Sequence, residues 1–230
     1  MKRQAVLIGN TGGLDGISLD LERTTDFLTS PQGGEWYASE IVSLIDPAKS
    51  DVVAELTRIK RIQPDYLFFL FSGHGYHGRE TVLHLNQTET LDESEINFLS
   101  PRQLSIFDCC RVSPHLVLAN ESASYDLRSY QESTRSRFDV RIMQAASQHV
   151  RLYACSEGES ALQTEKGALY LSCLLDAAES LNSEFMTVEG AHSIARPRVI
   201  RLAHKYGEKQ TPTSIQPKLT PSRQLILSIQ

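Results

Sequence analysis

The chain has 230 residues, of which 40% are hydrophobic, 22% charged and 7% aromatic, with a formal net charge of −5 at neutral pH. That length and composition fit one α/β domain with a well-buried core and exclude a disordered or fibrous protein. The acidic balance offers no basic footprint for nucleic acid.

The opening "MKRQAVLIGNTGG" carries an apolar run, AVLIG, shorter than the apolar segment of a secretory signal. No stretch approaches the roughly 18 apolar residues of a membrane span. The chain therefore reads as cytoplasmic, with neither membrane nor nucleic acid as a partner. Its cysteines, Cys109, Cys110, Cys155 and Cys173, are too few for a disulfide framework at this size, so reduced thiols are expected.

Apolar runs at 4–9, 40–45, 66–71, 104–108, 150–155 and 223–229 read as strands. Those at 66–71 and 104–108 are almost wholly apolar, as central strands covered on both faces must be. Helical spacing links Leu21, Thr25 and Leu28 after Ser18 as N-cap, and Val52, Leu56 and Ile59 after Ser50. Leu171, Leu174, Leu175 and Ala178 mark a third helix; Val188, Ala191 and Ala195 mark a weaker fourth. The alternation predicts a single domain over residues 1–230, of α/β class, with a mainly parallel central sheet of about six strands and helices on both faces. Residues 119–137 are polar and aperiodic, which predicts a mobile loop, and the proline-punctuated stretch 207–222 also reads as loop.

In open α/β sheets reactive residues gather beyond the carboxyl ends of the strands. "YLFFLFSGHGYHG" puts His74 after one central strand, between Gly73 and Gly75, and "LSIFDCCR" puts Cys109 and Cys110 after another. An imidazole that accepts a proton from a thiol makes a nucleophile, and the Gly75 amide is placed to serve an oxyanion hole. The "GNTGG" turn at 9–13 lacks the later glycine and lysine of a phosphate loop and reads as a strand exit.

These segments resemble the caspase and metacaspase clan of cysteine peptidases. "SGHG" resembles its histidine motif, and "FDCCR" its Asp-x-Cys strand end. "AVLIGN", "LDGISLDLERTTDFL", "LYACSEGESALQTEKGALYLSCLL" and "KQTP" resemble further family segments in the same order. Val112 stands where the family usually has Gly or Ser. His74 and Cys110 are 36 positions apart, against about 50 in the caspase signature.

The resemblance implies a caspase-like α/β/α sandwich and, aligned on Asp108, makes Cys110 the nucleophile and Cys109 its neighbour. His74 would move the proton, and the Gly75 and Cys110 amides would bind the oxyanion. Asp20, Ser72 and Asp108 fall on the positions that line a pocket for a basic side chain. It further implies no organic cofactor and no catalytic metal, a protein or peptide as substrate, and an activating partner or small-molecule signal in trans. The setting it suggests is a compact bacterial effector in stress or antiviral defence. Arg128, Arg135 and Arg137 in the polar stretch become candidates for self-cleavage.

Other readings stand beside this one. The vicinal cysteines read also as buried small hydrophobes or a redox pair, and His74, His77 and the cysteines as a zinc site. Asp20 could cap its own helix while Asp108 merely ends a strand, and Arg111 is the one local cation that would suit an acidic substrate. A catalytically silent scaffold with the same fold is the remaining alternative. His84, His115, His149, His192 and His204 lack motif context and read as surface or satisfied core residues.

Overall fold

The structure, a computed structural model, describes residues 1–112, 134–164 and 167–230. In chain order its strands are β1 Arg3–Gly9, β2 Ile41–Ile45, β3 Tyr66–Gly73, β4 Gly75–His77, β5 Thr81–His84, β6 Thr90–Asp92 and β7 Arg102–Cys109. They continue as β8 Gln148–Tyr153, β9 Gln163–Thr164, β10 Gly167–Ala168, β11 Phe185–Thr187, β12 Thr213–Ile215 and β13 Ile226–Ile229. The helices are α1 Ile17–Thr29, α2 Lys49–Ile62, α3 Thr134–Gln144, α4 Leu169–Glu179 and α5 Val188–Lys205.

A six-stranded sheet in the order β12-β8-β7-β3-β1-β2 forms the centre, parallel except for β12 at one edge. Period-two alternation divides its side chains between two cores. Leu7, Phe68, Leu70, Ile106 and Leu152 pack with α1, α4 and α5 and with Phe138 and Ile142 of α3. Ile8, Phe69, Phe71, Phe107 and Tyr153 pack with α2 and with Leu83, Leu91 and Ile96 around a small antiparallel sheet, β4-β5-β6. The expected layers are present, with a hairpin sheet sharing the second face with α2.

Four details differ from the sequence reading. The run at 223–229 gives β13, but it pairs antiparallel with β11 in a separate ribbon. The sixth central strand is instead β12, inside the stretch read as loop. It is short, polar and flanked by Pro212 and Pro217, which an edge strand tolerates. Ser18 and Ser50 lie inside their helices rather than capping them. The amide of Lys49 is capped from outside by the Glu89 carboxylate (3.1 Å), and the turn before α1 is closed by Asp20 N–H on the Gly16 carbonyl (3.0 Å).

The fourth difference concerns 119–137. Residues 134–137 belong to α3, where Phe138 and Ile142 supply an apolar stripe that begins just past the polar stretch. The expected loop over 119–133, with Arg128, lies outside the described residues.

Candidate active site

β3 and β7 are parallel neighbours, with Ser72 opposite Asp108 and Gly73 opposite Cys109. Alternation turns Cys109 with Phe71 and Phe107 into the α2-side core and turns Ser72 and Asp108 toward α1 and α4. His74 and Cys110 follow just beyond these strand ends. Both line one small cavity, together with Gly73, Asp108, Ala161 and Gln163.

The imidazole is oriented by the loop after β1. His74 Nε2 lies 3.1 Å from the Gly12 carbonyl. A carbonyl only accepts, so Nε2 carries the proton and Nδ1 is left as the basic nitrogen. Gly12 has φ +40° and a Cβ there would stand 2.5 Å from the ring, so only glycine lets this carbonyl approach. Gly75 is fixed from the other side: a Cβ on it would meet Cys109 Sγ at 2.7 Å and the Val82 carbonyl at 2.9 Å.

The two vicinal thiols therefore have separate surroundings. Cys109 is sealed in the core, and burial pushes its thiol pKa far up. Cys110 sits at the cavity, with its Sγ 3.4 Å from the Ala161 amide, which donates to it. Burial raises the Cys110 pKa as well, partly offset by hydrogen bonds from Ala161 and Ser160. In this state the thiol holds its proton. Cys155 and Cys173 are buried, and all four cysteines are unbridged.

Asp20 does not cap its own helix. Its carboxylate reaches across to the sheet, where it accepts from Ser72 Oγ (2.7 Å), the Ala168 amide (2.9 Å) and Gln163 Nε2 (3.4 Å). Asp108 accepts from the Leu171 amide (2.8 Å) in the first turn of α4, so it does more than end a strand. Both acids thus meet the amide-rich start of α4, which favours negative charge. Burial still dominates: it raises Asp20 to about 6, and burial followed by the charge of Asp20 raises Asp108 well above the carboxylate range. Gly167, at φ +84°, gives Asp20 room, because a Cβ there would lie 2.1 Å from Oδ1.

Arg111 is turned away from these acids. Its guanidinium lies 4.3 Å over the Tyr153 ring and reaches His77 Nδ1 (3.3 Å) and Glu157 (3.4 Å). Among the described residues no lysine or arginine lines the cavity. His77 faces Arg111 and Glu157, away from the arrangement a shared zinc would need. Among the described residues no group of three His, Cys, Asp or Glu side chains is placed to hold a metal ion. His149 and His192 are buried and bonded to Ser105 and Tyr170.

Sequence reasoning missed the segment 159–163 and its clamp. The Arg111 backbone is held between Glu159 O and Gly158 N–H. Glu159 accepts from the Thr211 amide (2.6 Å) and pairs with Lys209 (3.1 Å). Gln210 donates to Ala154 O (3.0 Å) and accepts from the Leu162 amide (3.0 Å). "KQTP" was the available signal: it ties the strand end of β8 to the segment that borders Cys110.

This sheet order, with a histidine and a cysteine at adjacent parallel strand ends, defines the architecture of a caspase-like peptidase. The caspase-domain family matches residues 2–222, so the chain belongs to the caspase family of cysteine peptidases. Among solved structures, caspase-1 from Spodoptera frugiperda is similar with a TM-score of 0.62 at 10% identity, over 93% of this chain and 87% of that one. That likeness is one of fold. No curated protein matches the sequence.

Proposed function

We propose that the chain is a cysteine endopeptidase that cuts after Arg or Lys, using Cys110 as nucleophile and His74 as general base. Nδ1 of His74 accepts the thiol proton as Cys110 Sγ bonds to the substrate carbonyl carbon. The Gly75 and Cys110 amides donate to the oxyanion that forms; losing one such donor costs about 3 kcal/mol of barrier. Collapse breaks the C–N bond, and the amine leaves with the proton held on His74. Water then attacks the thioester, giving a proton to His74 and, as the C–S bond breaks, returning Cys110 to the thiol.

The observation that carries the reading is Asp108 lining the Cys110 cavity, with Ser72 opposite it on β3 and Asp20 bonded to Ser72, and no lysine or arginine lining that cavity among the described residues. A buried pair of acids with no cation hydrogen-bonded to it among the described residues favours an incoming ammonium or guanidinium and repels an acidic side chain. The residues need no organic cofactor for this chemistry. An activating protein or small molecule acting in trans, in bacterial stress or antiviral defence, is the setting we assign to it.

Profiling a peptide library with wild type and Cys110→Ala tests the reading. Cleavage after Arg and Lys, lost in Cys110→Ala and in His74→Ala but retained in Cys109→Ser, is expected. Preference for Asp, or activity that survives in Cys110→Ala, would overturn it.

A further inference from the structure

We infer that Gln163 is an internal occupant of the acidic pocket, an uncharged stand-in that a basic substrate side chain must displace. The inference rests on the reading that Asp20 and Asp108 receive Arg or Lys. Three observations meet at this residue. Its amide nitrogen points at Asp20 Oδ2, 3.4 Å away, the same oxygen that Ser72 donates to. The amide lies against the Gly16 backbone so closely that a Cβ there would stand 3.3 Å from Nε2. With Gln163 in place, the cavity beside Cys110 measures only ≈ 20 Å³, room for about one water and far from enough for an arginine side chain.

The two residues before it complete the obstruction. The Ala161 amide donates to Cys110 Sγ, and Leu162 is anchored by its own amide to Gln210 and by its carbonyl to the Leu169 amide. The segment 161–163 thus lies over the nucleophile with its backbone and fills the pocket with a side chain. A primary amide suits this place because it offers N–H donors to a carboxylate without a charge. A guanidinium offers the same donors in a bidentate fork and adds its own charge, so it gains a Coulombic attraction to the acids that the amide lacks. The occupant is therefore one that the correct ligand outcompetes and an apolar or acidic side chain does not.

Agmatine, a small guanidinium that has no bond to cut, separates occupancy from turnover. Calorimetric titration into wild type, Gln163→Ala, Gln163→Arg and Asp20→Asn is the experiment, with thermal melts to verify folding. Removing one long hydrogen bond of about 1 kcal/mol predicts about fivefold tighter binding to Gln163→Ala than to wild type. Gln163→Arg, which carries its own guanidinium, should bind agmatine at least tenfold more weakly than wild type. Asp20→Asn should bind it least. Asp20-dependent binding that is equal in wild type and Gln163→Ala, or weaker in Gln163→Ala, would overturn the occupancy and leave the basic pocket standing. Absence of binding to wild type and Gln163→Ala alike would overturn the pocket itself. Should Gln163→Ala not fold, Gln163→Arg decides alone: affinity equal to wild type refutes displacement.

Discussion

Two clusters of charge, one half-buried and one fully buried, sit at opposite ends of the central sheet and are built on opposite rules. At the amino ends, Arg3 and Arg135 meet Glu40 and Asp139. Arg3 reaches Asp139 (3.1 Å), Glu40 (3.4 Å) and the Gly34 carbonyl (2.7 Å), and Arg135 grips both oxygens of Glu40. At the carboxyl ends, the hydrogen bonds that Asp20 and Asp108 accept among the described residues come from neutral donors, and the charge of Arg23 is the least of the influences on Asp20. Burial works on both sets with different outcomes. For Glu40 it is outweighed by hydrogen bonds from Arg135 and Tyr37 and by the charge of Arg3, so its pKa falls below the ordinary range; for Asp20 it prevails, to about 6. A cluster that closes on itself holds a fold together. One left short of a cation is ready for a ligand that brings it.

The contrast predicts that acid-end substitutions damage turnover and amino-end substitutions damage stability. The largest effect should come from Asp108→Asn, which keeps an acceptor for the Leu171 amide while removing the charge. Turnover on arginine substrates should fall about 10³-fold, or ~4 kcal/mol of transition-state binding, with a melting temperature no lower than wild type. A drop in stability with turnover intact would place Asp108 with the structural cluster. Next comes Arg3→Met. It removes the buried partner of Asp139 while Glu40 keeps Arg135, and should cost about 3 kcal/mol in denaturant melts, while kcat/KM of the folded fraction stays within twofold. Selective loss of activity would break the comparison from its other side.

A third, smaller effect concerns pH. Asp20 titrates near 6 in the folded chain and near 4 when unfolded. Between those values the folded chain keeps a proton that the unfolded chain has released. Its contribution to stability is fully present below about pH 4 and is lost as pH rises through 6, by about 3 kcal/mol. Binding has the opposite sign, because the ionised carboxylate attracts a guanidinium, so KM for arginine substrates should fall as pH rises through 6. Equilibrium melts and KM profiles of wild type and Asp20→Asn check both. A stability slope between pH 4 and 6 that persists unchanged in Asp20→Asn would assign it to another group.

What the sequence made legible follows from where each contact lies along the chain. The β3 and β7 runs announce buried strands, and the glycines around His74 announce a tight exit, because both signals are local. Asp20, Ser72 and Asp108 could be gathered only through family resemblance, since three elements bring them together. Gln163, Gln210 and Glu159 passed unnoticed for a related reason. Gln210 and Glu159 act through backbone amides or carbonyls on distant segments, and Gln163 through the Asp20 carboxylate of another element; such partners leave no pattern in the residue string. β12 was hidden because an edge strand needs only one buried side and tolerates prolines nearby.

The smallest effects belong to α3, where the polar stretch was read as running to residue 137. Arg135 and Arg137 stand in its first turns. A peptidase that seats its substrate in extended form would first have to unwind them, and the Arg135 amide and guanidinium are committed to Glu35 and Glu40. Arg137 pairs with Glu184 only at 3.8 Å on the exposed surface. Arg137→Ala should therefore alter stability by less than about 0.5 kcal/mol. Neither arginine should be a site of self-cleavage while α3 is folded. Mass spectrometry of active wild type beside Cys110→Ala checks the point. Fragments ending at Arg135 or Arg137 in wild type alone would mean that α3 opens under native conditions, and that the amino-end cluster is weaker than its matched charges imply.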